Sequence, residues 1–141
     1  MCHKRSIFLI LVIVMFNTLS GCKIDNDEDT LGYDDFEHLD HWDDLKNLTA
    51  EKTIIYYYSP FCDICIQLEE PVTKLLLQLD PHRDVLLADD GYLYGAGEPD
   101  FELFGVPALI ILEAGEFIEL IRGSAPVLEY LNNEIDNLEK D

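Results

Sequence analysis

Two cysteines separated by two residues lie in the stretch YYYSPFCDICIQLEEP, which covers residues 56–71. An apolar, aromatic run precedes the pair, and a pattern of helical spacing follows it. Cys62 and Cys65 therefore fall where a buried strand gives way to a helix, one helical turn apart and within disulfide reach. This position leaves three kinds of site open: a redox centre, half of a metal site, or a structural disulfide.

Apolar residues recur with strand and helix periodicities along most of the chain, and the two patterns alternate. They predict strands at 36–39, 53–58, 84–88, 106–112 and 117–122, and helices at 40–48, 62–79 and 126–138. Asp40 can cap the first helix, and Pro71 should kink the second because proline has no amide donor. Glycines and a proline predict a loop at 91–100 with a helical turn at 100–104, and residues 113–116 predict a hairpin turn. This order predicts an α/β domain built around a mixed sheet.

The first 21 residues are typical of an export signal. Lys4 and Arg5 precede an unbroken apolar stretch at 7–16, which falls well short of the ~20 residues of an ordinary membrane-spanning helix. The following Leu19-Ser20-Gly21-Cys22 resembles the bacterial lipobox, in which a peptidase cuts before the cysteine and the thiol carries a diacylglycerol. We therefore expect a lipoprotein signal peptide at residues 1–21 and lipidation of Cys22. The alternative is an ordinary secretory signal, or an uncleaved anchor, in which this cysteine is incidental.

Residues 22–32 are polar and acidic after Cys22, so they predict a flexible tether. The tether would hold a domain that comprises residues 33–141. We expect the protein to be lipid-anchored at the bacterial cell membrane, on the extracytoplasmic face or in the periplasm.

Charge and cysteine content narrow the possible functions. The formal net charge of −20 would be repelled by a phosphate backbone, which argues against a nucleic-acid partner. The hydrophobic content of 48% is enough for one compact domain. Of the four cysteines, Cys2 would be lost on processing and Cys22 would be acylated. The pair at 62 and 65 would then be the only source of free thiols, and no cysteine would remain for a structural disulfide framework.

The order of these elements and motifs resembles the thioredoxin superfamily. The resemblance covers residues 36–138. It is carried by the buried strand at 53–58, by Cys62-x-x-Cys65 at the start of a kinked helix, and by Gly105-Val106-Pro107 at the opening of a hairpin strand. It implies a thioredoxin-like fold, with a mixed central sheet flanked by helices, and protein thiol–disulfide oxidoreductase activity. In this family the first cysteine forms a mixed disulfide with a partner protein and the second resolves it. The cysteine pair is itself the redox group, so no further cofactor is implied.

The resemblance also implies that Pro107 is a cis proline beside the cysteines and that the backbone of Val106 helps to pair a substrate strand. Three positions depart from the thioredoxin pattern. Tyr56 replaces a buried acidic residue that accepts the proton of the resolving thiol, Pro71 falls one residue later than expected, and Ala108 replaces the common threonine. With the acidic residue missing, another base or water must accept that proton.

Asp63 and Ile64 lie between the cysteines, and Phe61 lies directly before them, so these residues are candidates for tuning the site. Phe61 is expected to shield the sulfur of Cys62. The helix start stabilises the Cys62 thiolate, whereas the carboxylate of Asp63 disfavours it by like-charge repulsion. Since strongly oxidising members of the family owe their potential to a stabilised thiolate, Asp63 favours a reductant. Asp63 could instead only satisfy the helix dipole.

The sequence thus predicts a monomeric thiol–disulfide oxidoreductase that acts on protein thiol or disulfide substrates and is recharged by a membrane thiol–disulfide electron carrier. A metallochaperone that carries copper or zinc on the same pair, or a non-catalytic binding module, would be the alternatives. His38 and His41 could in principle complete a zinc site with the cysteines. A cysteine at a helix start beside a cis proline is poorly placed for tetrahedral closure, so we expect no metal and two surface histidines.

Overall fold

The computed structural model describes residues 31–93, 97 and 99–140. In chain order these residues form two 3-10 helices, Tyr33–Asp35 and Trp42–Asn47, and then β1 Thr53–Tyr58, α1 Asp63–Leu79, β2 Asp84–Asp89, α2 Asp90–Leu93, β3 Ala108–Glu113, β4 Glu116–Arg122 and α3 Ser124–Leu138. The predicted signal peptide, the predicted lipidation site Cys22 and the predicted tether as far as residue 30 lie outside the described residues. Within the described part of the chain, no helix combines the length and the apolar character needed to cross a membrane.

The four strands form one mixed sheet in the order β2-β1-β3-β4. Strand β1 pairs with β2 in parallel and with β3 antiparallel, and β3 pairs with β4 antiparallel. Helices α1 and α3 pack against one face of the sheet, and the 3-10 helix at Trp42–Asn47 and helix α2 cover the other. The predicted mixed sheet flanked by helices is confirmed.

Strand β1 is buried along its whole length because both faces of the sheet are covered. Side chains alternate between the two faces of a strand. Accordingly Tyr56 and Tyr58 join the core on the α1 side, together with Cys65, while Tyr57 joins the core on the opposite side. The prediction that these tyrosines belong mostly to the core is confirmed, and two of them lie on the side of the cysteine pair.

The predicted strand at 36–39 is reduced to a single bridge. His38 pairs with Leu87 in parallel, at the outer edge of β2. The amide of Leu39 donates to the Leu87 carbonyl at 2.8 Å, and the amide of Leu87 donates to the Glu37 carbonyl at 2.8 Å. The segment is thus held by β2 only at this point, so the prediction of a full strand is wrong.

The predicted helix at 40–48 is a shorter 3-10 helix, Trp42–Asn47. Its cap is His41 and not Asp40, since the amide of His41 donates to the carboxylate of Asp44 at 3.1 Å. Trp42 and Leu45 are buried, one 3-10 turn apart, and this spacing suits a tighter helix better than an α-helix.

Helix α1 runs for 17 residues and buries Leu68, Val72, Leu76 and Leu79 at helical spacing. Pro71 lies inside it, and residues 63–79 remain one helix. The predicted kink at Pro71 stays a prediction.

The chain between β2 and β3 differs from its predicted form. The helical turn comes at its start, in α2, because the carboxylate of Asp89 accepts the amides of Gly91 at 2.7 Å and Tyr92 at 3.4 Å. The predicted helical turn at 100–104 is absent, since residues 100–104 are described without helix.

The predicted hairpin turn between β3 and β4 is confirmed. Ala114 and Gly115 have φ angles of 50° and 80°, as a two-residue turn that matches the twist of the strands requires. A side chain at Gly115 would place its Cβ 2.4 Å from the carbonyl oxygen of Leu48, so only glycine fits. The amide of Ala114 also donates to the Ala50 carbonyl at 3.0 Å. The turn is therefore packed against the segment that leads into β1.

Helix α3 carries one buried carboxylate. The side chain of Glu134 accepts hydrogen bonds from Lys52 Nζ at 3.1 Å and from Arg83 Nε at 2.8 Å. Lys52 directly precedes β1, and Arg83 directly precedes β2. Glu134 therefore links α3 to the beginnings of the two parallel strands, β1 and β2.

Candidate active site

Cys62 is the cap residue at the start of α1. Its sulfur accepts a hydrogen bond from the backbone amide of Cys65 at 3.3 Å. Amide donors and the dipole at a helix start favour a negative charge on a sulfur in this place. The first cysteine thus lies at the start of the helix, as the sequence predicts.

Cys65 lies one turn further on and is completely buried, whereas Cys62 is partly exposed. Burial, and next the neighbouring sulfur of Cys62, raise the pKa of Cys65 to about 12. At neutral pH Cys65 is therefore a protonated thiol that solvent does not reach. This difference makes Cys62 the sulfur that can meet another protein and Cys65 the one that can act only internally.

Val106 and Pro107 lead into β3 beside the cysteines. The peptide bond between them is cis. Val106 and Cys62 both pack, partly buried, against the core cluster that contains Cys65. Pro107 is buried, and its carbonyl accepts the amide of Gly123 at 2.9 Å. The structure thus brings the predicted Val106–Pro107 segment and the cysteine pair to the same end of the sheet.

The surface around Cys62 is apolar and exposed. Phe61 is 88% exposed, and Ile64 and Ile66 are each about half exposed. So high an exposure leaves little of the Phe61 ring against the sulfur, and the prediction that this ring shields Cys62 is wrong. Asp63 is the first residue of α1 and is exposed, so its carboxylate lies next to Cys62 in the sequence but in contact with solvent.

A group of tyrosines lies beside the buried cysteine. The hydroxyl of Tyr33 lies 2.7 Å from the carbonyl oxygen of Cys65 and 3.2 Å from the hydroxyl of Tyr56. Tyr56 stacks on Tyr58 with ring planes 5° apart. Sequence reasoning singled out Tyr56 but missed Tyr33. The available signal was an aromatic residue at the end of an otherwise acidic segment.

The two histidines do not approach the cysteines as a set of ligands. His38 is partly buried, contrary to the prediction, and Nε2 of its ring forms a hydrogen bond with the Tyr58 hydroxyl at 3.1 Å. His41 is exposed, as predicted. Among the described residues, no group of three or more histidine, cysteine, aspartate or glutamate side chains could hold a metal ion.

Comparison with known proteins finds similarity in structure only. No family model matches the chain, and no curated protein sequence matches it. Among solved structures, mitochondrial thioredoxin 3 of Saccharomyces cerevisiae is 21% identical, with a TM-score of 0.61 and coverage of 74% of this chain and 97% of that one. A thioredoxin of Trypanosoma brucei brucei is 18% identical, with a TM-score of 0.60 and coverage of 75% and 92%.

A third similar structure comes from work on how the glutathione and thioredoxin systems resolve the thiol of a yeast mitochondrial 1-Cys peroxiredoxin. It is 20% identical, with a TM-score of 0.61 and coverage of 76% of this chain and 99% of that one. At these identities the likeness shows the fold. The chain therefore has a thioredoxin-like fold, as its sequence predicts, with the Cys62–Cys65 pair at the start of its first long helix.

Proposed function

We propose that this protein is a membrane-anchored, extracytoplasmic thiol–disulfide oxidoreductase that reduces disulfide bonds in protein substrates. The observation that carries the proposal is the pairing of an accessible sulfur at a helix start with a buried thiol one turn later. A structural disulfide would not need this difference in accessibility. The thioredoxin-like fold supports the same function, because thioredoxins are among the similar structures.

The reaction proceeds in two exchange steps. The Cys62 thiolate attacks one sulfur of the substrate disulfide, so a mixed disulfide forms and one substrate thiolate leaves. Cys65 then loses its proton and attacks the Cys62 sulfur, which releases the second substrate thiolate and leaves a Cys62–Cys65 disulfide. The substrate gains two electrons and the protein loses two. A membrane thiol–disulfide electron carrier would return them.

Three features support a protein substrate and this direction. The exposed apolar side chains of Phe61, Ile64 and Ile66 flank Cys62 in the sequence and would bury apolar surface of a partner. The backbone of Val106 could pair with an extended substrate segment, as the family resemblance implies. The carboxylate of Asp63 opposes a strongly stabilised thiolate and so favours a reductant.

The membrane location rests on the sequence. A charged start, a short apolar stretch and the lipobox-like Leu19-Ser20-Gly21-Cys22 support export, cleavage and lipidation. The short reach of the tether would keep the domain close to the membrane surface without embedding it. Its acidic residues would disfavour adsorption of the domain onto anionic lipid.

Reduction of insulin disulfides by dithiothreitol, with and without the protein, tests the activity. We expect the protein to accelerate the reduction and Cys62→Ser to lower the rate to background, whereas Ser59→Ala, a nearby change without a thiol, should retain activity. Titration with copper and zinc runs alongside. Tight metal binding without reductase activity would identify a metallochaperone, and failure in both assays would leave a binding module.

The substrate itself can be captured with Cys65→Ser in the native cell. This variant forms the mixed disulfide but has no thiol to resolve it, so the partner should remain bound to Cys62 and be identified by mass spectrometry. The double variant that also carries Cys62→Ser should capture nothing. If the exported Cys65→Ser variant retained no partner, the proposal of a protein substrate would fail.

A further inference from the structure

Two buried hydroxyl groups that are hydrogen-bonded to each other lie beside the resolving cysteine. Tyr33 is 7% exposed and Tyr56 is 0% exposed, and both belong to the core cluster that contains Cys65. The sequence resemblance leads one to expect a buried acid at the place of Tyr56. The structure instead puts there a hydroxyl that is joined to a second hydroxyl, from a segment 23 residues earlier in the chain.

The bond to Cys65 fixes the direction of one proton. A carbonyl oxygen can only accept, so the Tyr33 hydroxyl donates to the Cys65 carbonyl across their 2.7 Å separation. Tyr33 is also held at its other end, because its backbone amide donates to the Glu69 carboxylate at 3.1 Å. A residue fixed at both ends can restrain the backbone that it bonds, and here that backbone carries the resolving sulfur.

Ring packing also holds the hydroxyl of Tyr56 in place. The Tyr33 ring lies 5.5 Å from the Tyr56 ring and 4.3 Å from the Tyr58 ring, measured between centroids. These distances are typical of favourable aromatic pairs. The rings therefore have little freedom to withdraw their hydroxyls from Cys65.

Both hydroxyls stay protonated throughout the physiological range. Burial, in the first place, raises the pKa of Tyr33 and of Tyr56 above the ordinary value of 10.0. The titratable groups that face the three clustered tyrosines come from every neighbouring element: Asp34 in the first 3-10 helix, Cys62 before α1, Cys65 and Glu69 in α1, Asp89 at the end of β2, and His38, which bonds Tyr58. The pair can thus supply hydrogen bonds but does not replace the missing carboxylate as a base.

We propose that the Tyr33–Tyr56 hydroxyl pair is a positioning device, which restrains the first turn of α1 so that the Cys65 sulfur stays aimed at Cys62 while the mixed disulfide is resolved. The inference rests on the proposed exchange mechanism and assigns these residues to its second step. Neither tyrosine takes part in the first step, in which only Cys62 reacts.

The two steps can be followed separately with dithiobisnitrobenzoate, an aromatic disulfide that releases a coloured thiolate at each step. The full chain, kept in detergent, carries Cys2→Ser and Cys22→Ser so that Cys62 and Cys65 are its only thiols. Attack by Cys62 releases the first thiolate in a second-order phase, and resolution by Cys65 releases the second in a first-order phase. The Cys65→Ser variant marks the first phase alone.

We expect Tyr33→Phe and Tyr56→Phe to slow the resolution phase by about three- to tenfold, the usual range for the loss of one hydrogen bond. The attack phase should be unchanged. The double variant should be no slower than the slower single variant, because the two hydroxyls act as one unit. Between pH 6 and pH 9 the resolution rate of each variant should run parallel to that of the parent, since the pair does not titrate there.

Tyr58→Phe is the matched control. It removes a hydroxyl from the same cluster, but one that bonds His38 and not Cys65. The rate of its resolution phase should equal that of the parent, even if its stability to urea falls as much as that of the other variants. Unchanged resolution in both Tyr33→Phe and Tyr56→Phe, or equal slowing in Tyr58→Phe, would overturn the inference. Because the reagent needs only the cysteine pair, these rates remain measurable even if the protein fails to reduce insulin.

Discussion

Asp63 has two opposing effects on the residue beside it. It is the first residue of α1, where a carboxylate is favourable to the helix dipole, and it directly follows the sulfur that must ionise. Because its side chain is exposed, solvent weakens both effects. Removing the charge of this one residue tests which of the two effects dominates.

Asp63→Asn should make the protein more oxidising, because removal of the negative charge stabilises the Cys62 thiolate and hence the reduced form. We expect the midpoint potential to rise by about 5 to 20 mV, the range that corresponds to an exposed dipole-scale interaction. Equilibration with glutathione measures it. Asp80→Asn, the same change just after the far end of α1, should leave the potential unchanged. If Asp63 only supports the helix, its variant would instead lose a few tenths of a kcal/mol of stability at constant potential.

At the residue scale, the sequence identified the cysteine pair and Pro107 because each stands in a local pattern that can be read within a few residues. Tyr33 stands in no such pattern. Its hydroxyl reaches Cys65 across 32 residues of sequence, and only the packing of the N-terminal segment against α1 brings them together. The exposure of Phe61 could not be predicted either, since it depends on how the chain turns between β1 and α1.

At the scale of elements, the carboxylate of Glu134 joins α3 to β1 and β2, at the end of the sheet remote from the cysteines. Burial alone would raise the pKa of Glu134, but hydrogen bonds from Arg83 and Lys52 outweigh it and leave the pKa below its ordinary value of 4.5. Because the folded-state value is the lower one, the unfolded chain takes up this proton first as the pH falls. The stabilisation is thus fully present above about pH 5 and is lost as the pH falls through the folded-state pKa.

Glu134→Gln should lower the free energy of unfolding by about 1 to 3 kcal/mol at pH 7, since it leaves two partly buried cations without their carboxylate. It should also flatten the dependence of stability on pH between 3 and 6. Urea unfolding at a series of pH values measures both effects. Glu129→Gln, an exposed change on the same helix, should change neither. Equal stability of the two variants at pH 7 would show that the ion pairs contribute nothing.

The elements with strong periodicity were predicted within two residues of their bounds, as for β1, α1 and α3. The elements at 36–48 were not, because their form depends on contacts with β2 and on the helix cap. The Asp44 carboxylate accepts the amide of His41, so the helix is capped one residue later than the predicted Asp40. Glu134 was predictable in retrospect. It lies three residues after Leu131 and seven after Val127, on the apolar face of α3, where a lone acid signals a buried ion pair.

For the whole molecule, the central prediction concerns its attachment to the membrane through a lipid on Cys22. Cys22→Ala should abolish labelling of the protein by radioactive fatty acid in the native cell, and should leave it unprocessed or released from the membrane fraction. The reason is that Cys22 would supply both the cleavage site and the acylated thiol. Cys62→Ser, which removes a different cysteine, should be labelled normally. Normal labelling of the Cys22→Ala protein would rule out the lipobox.

The β3–β4 turn at Ala114 and Gly115 has a practical consequence for anyone who wishes to attach a reporter to this protein. A short hairpin tip on the surface is where an epitope or a fluorescent domain would usually be inserted. Here the turn lies against the Leu48 carbonyl, and the amide of Ala114 donates to the Ala50 carbonyl. An insertion would therefore separate the hairpin from the segment that leads into β1. A fusion that begins after α3, beyond Leu138, touches neither this contact nor the cysteine pair.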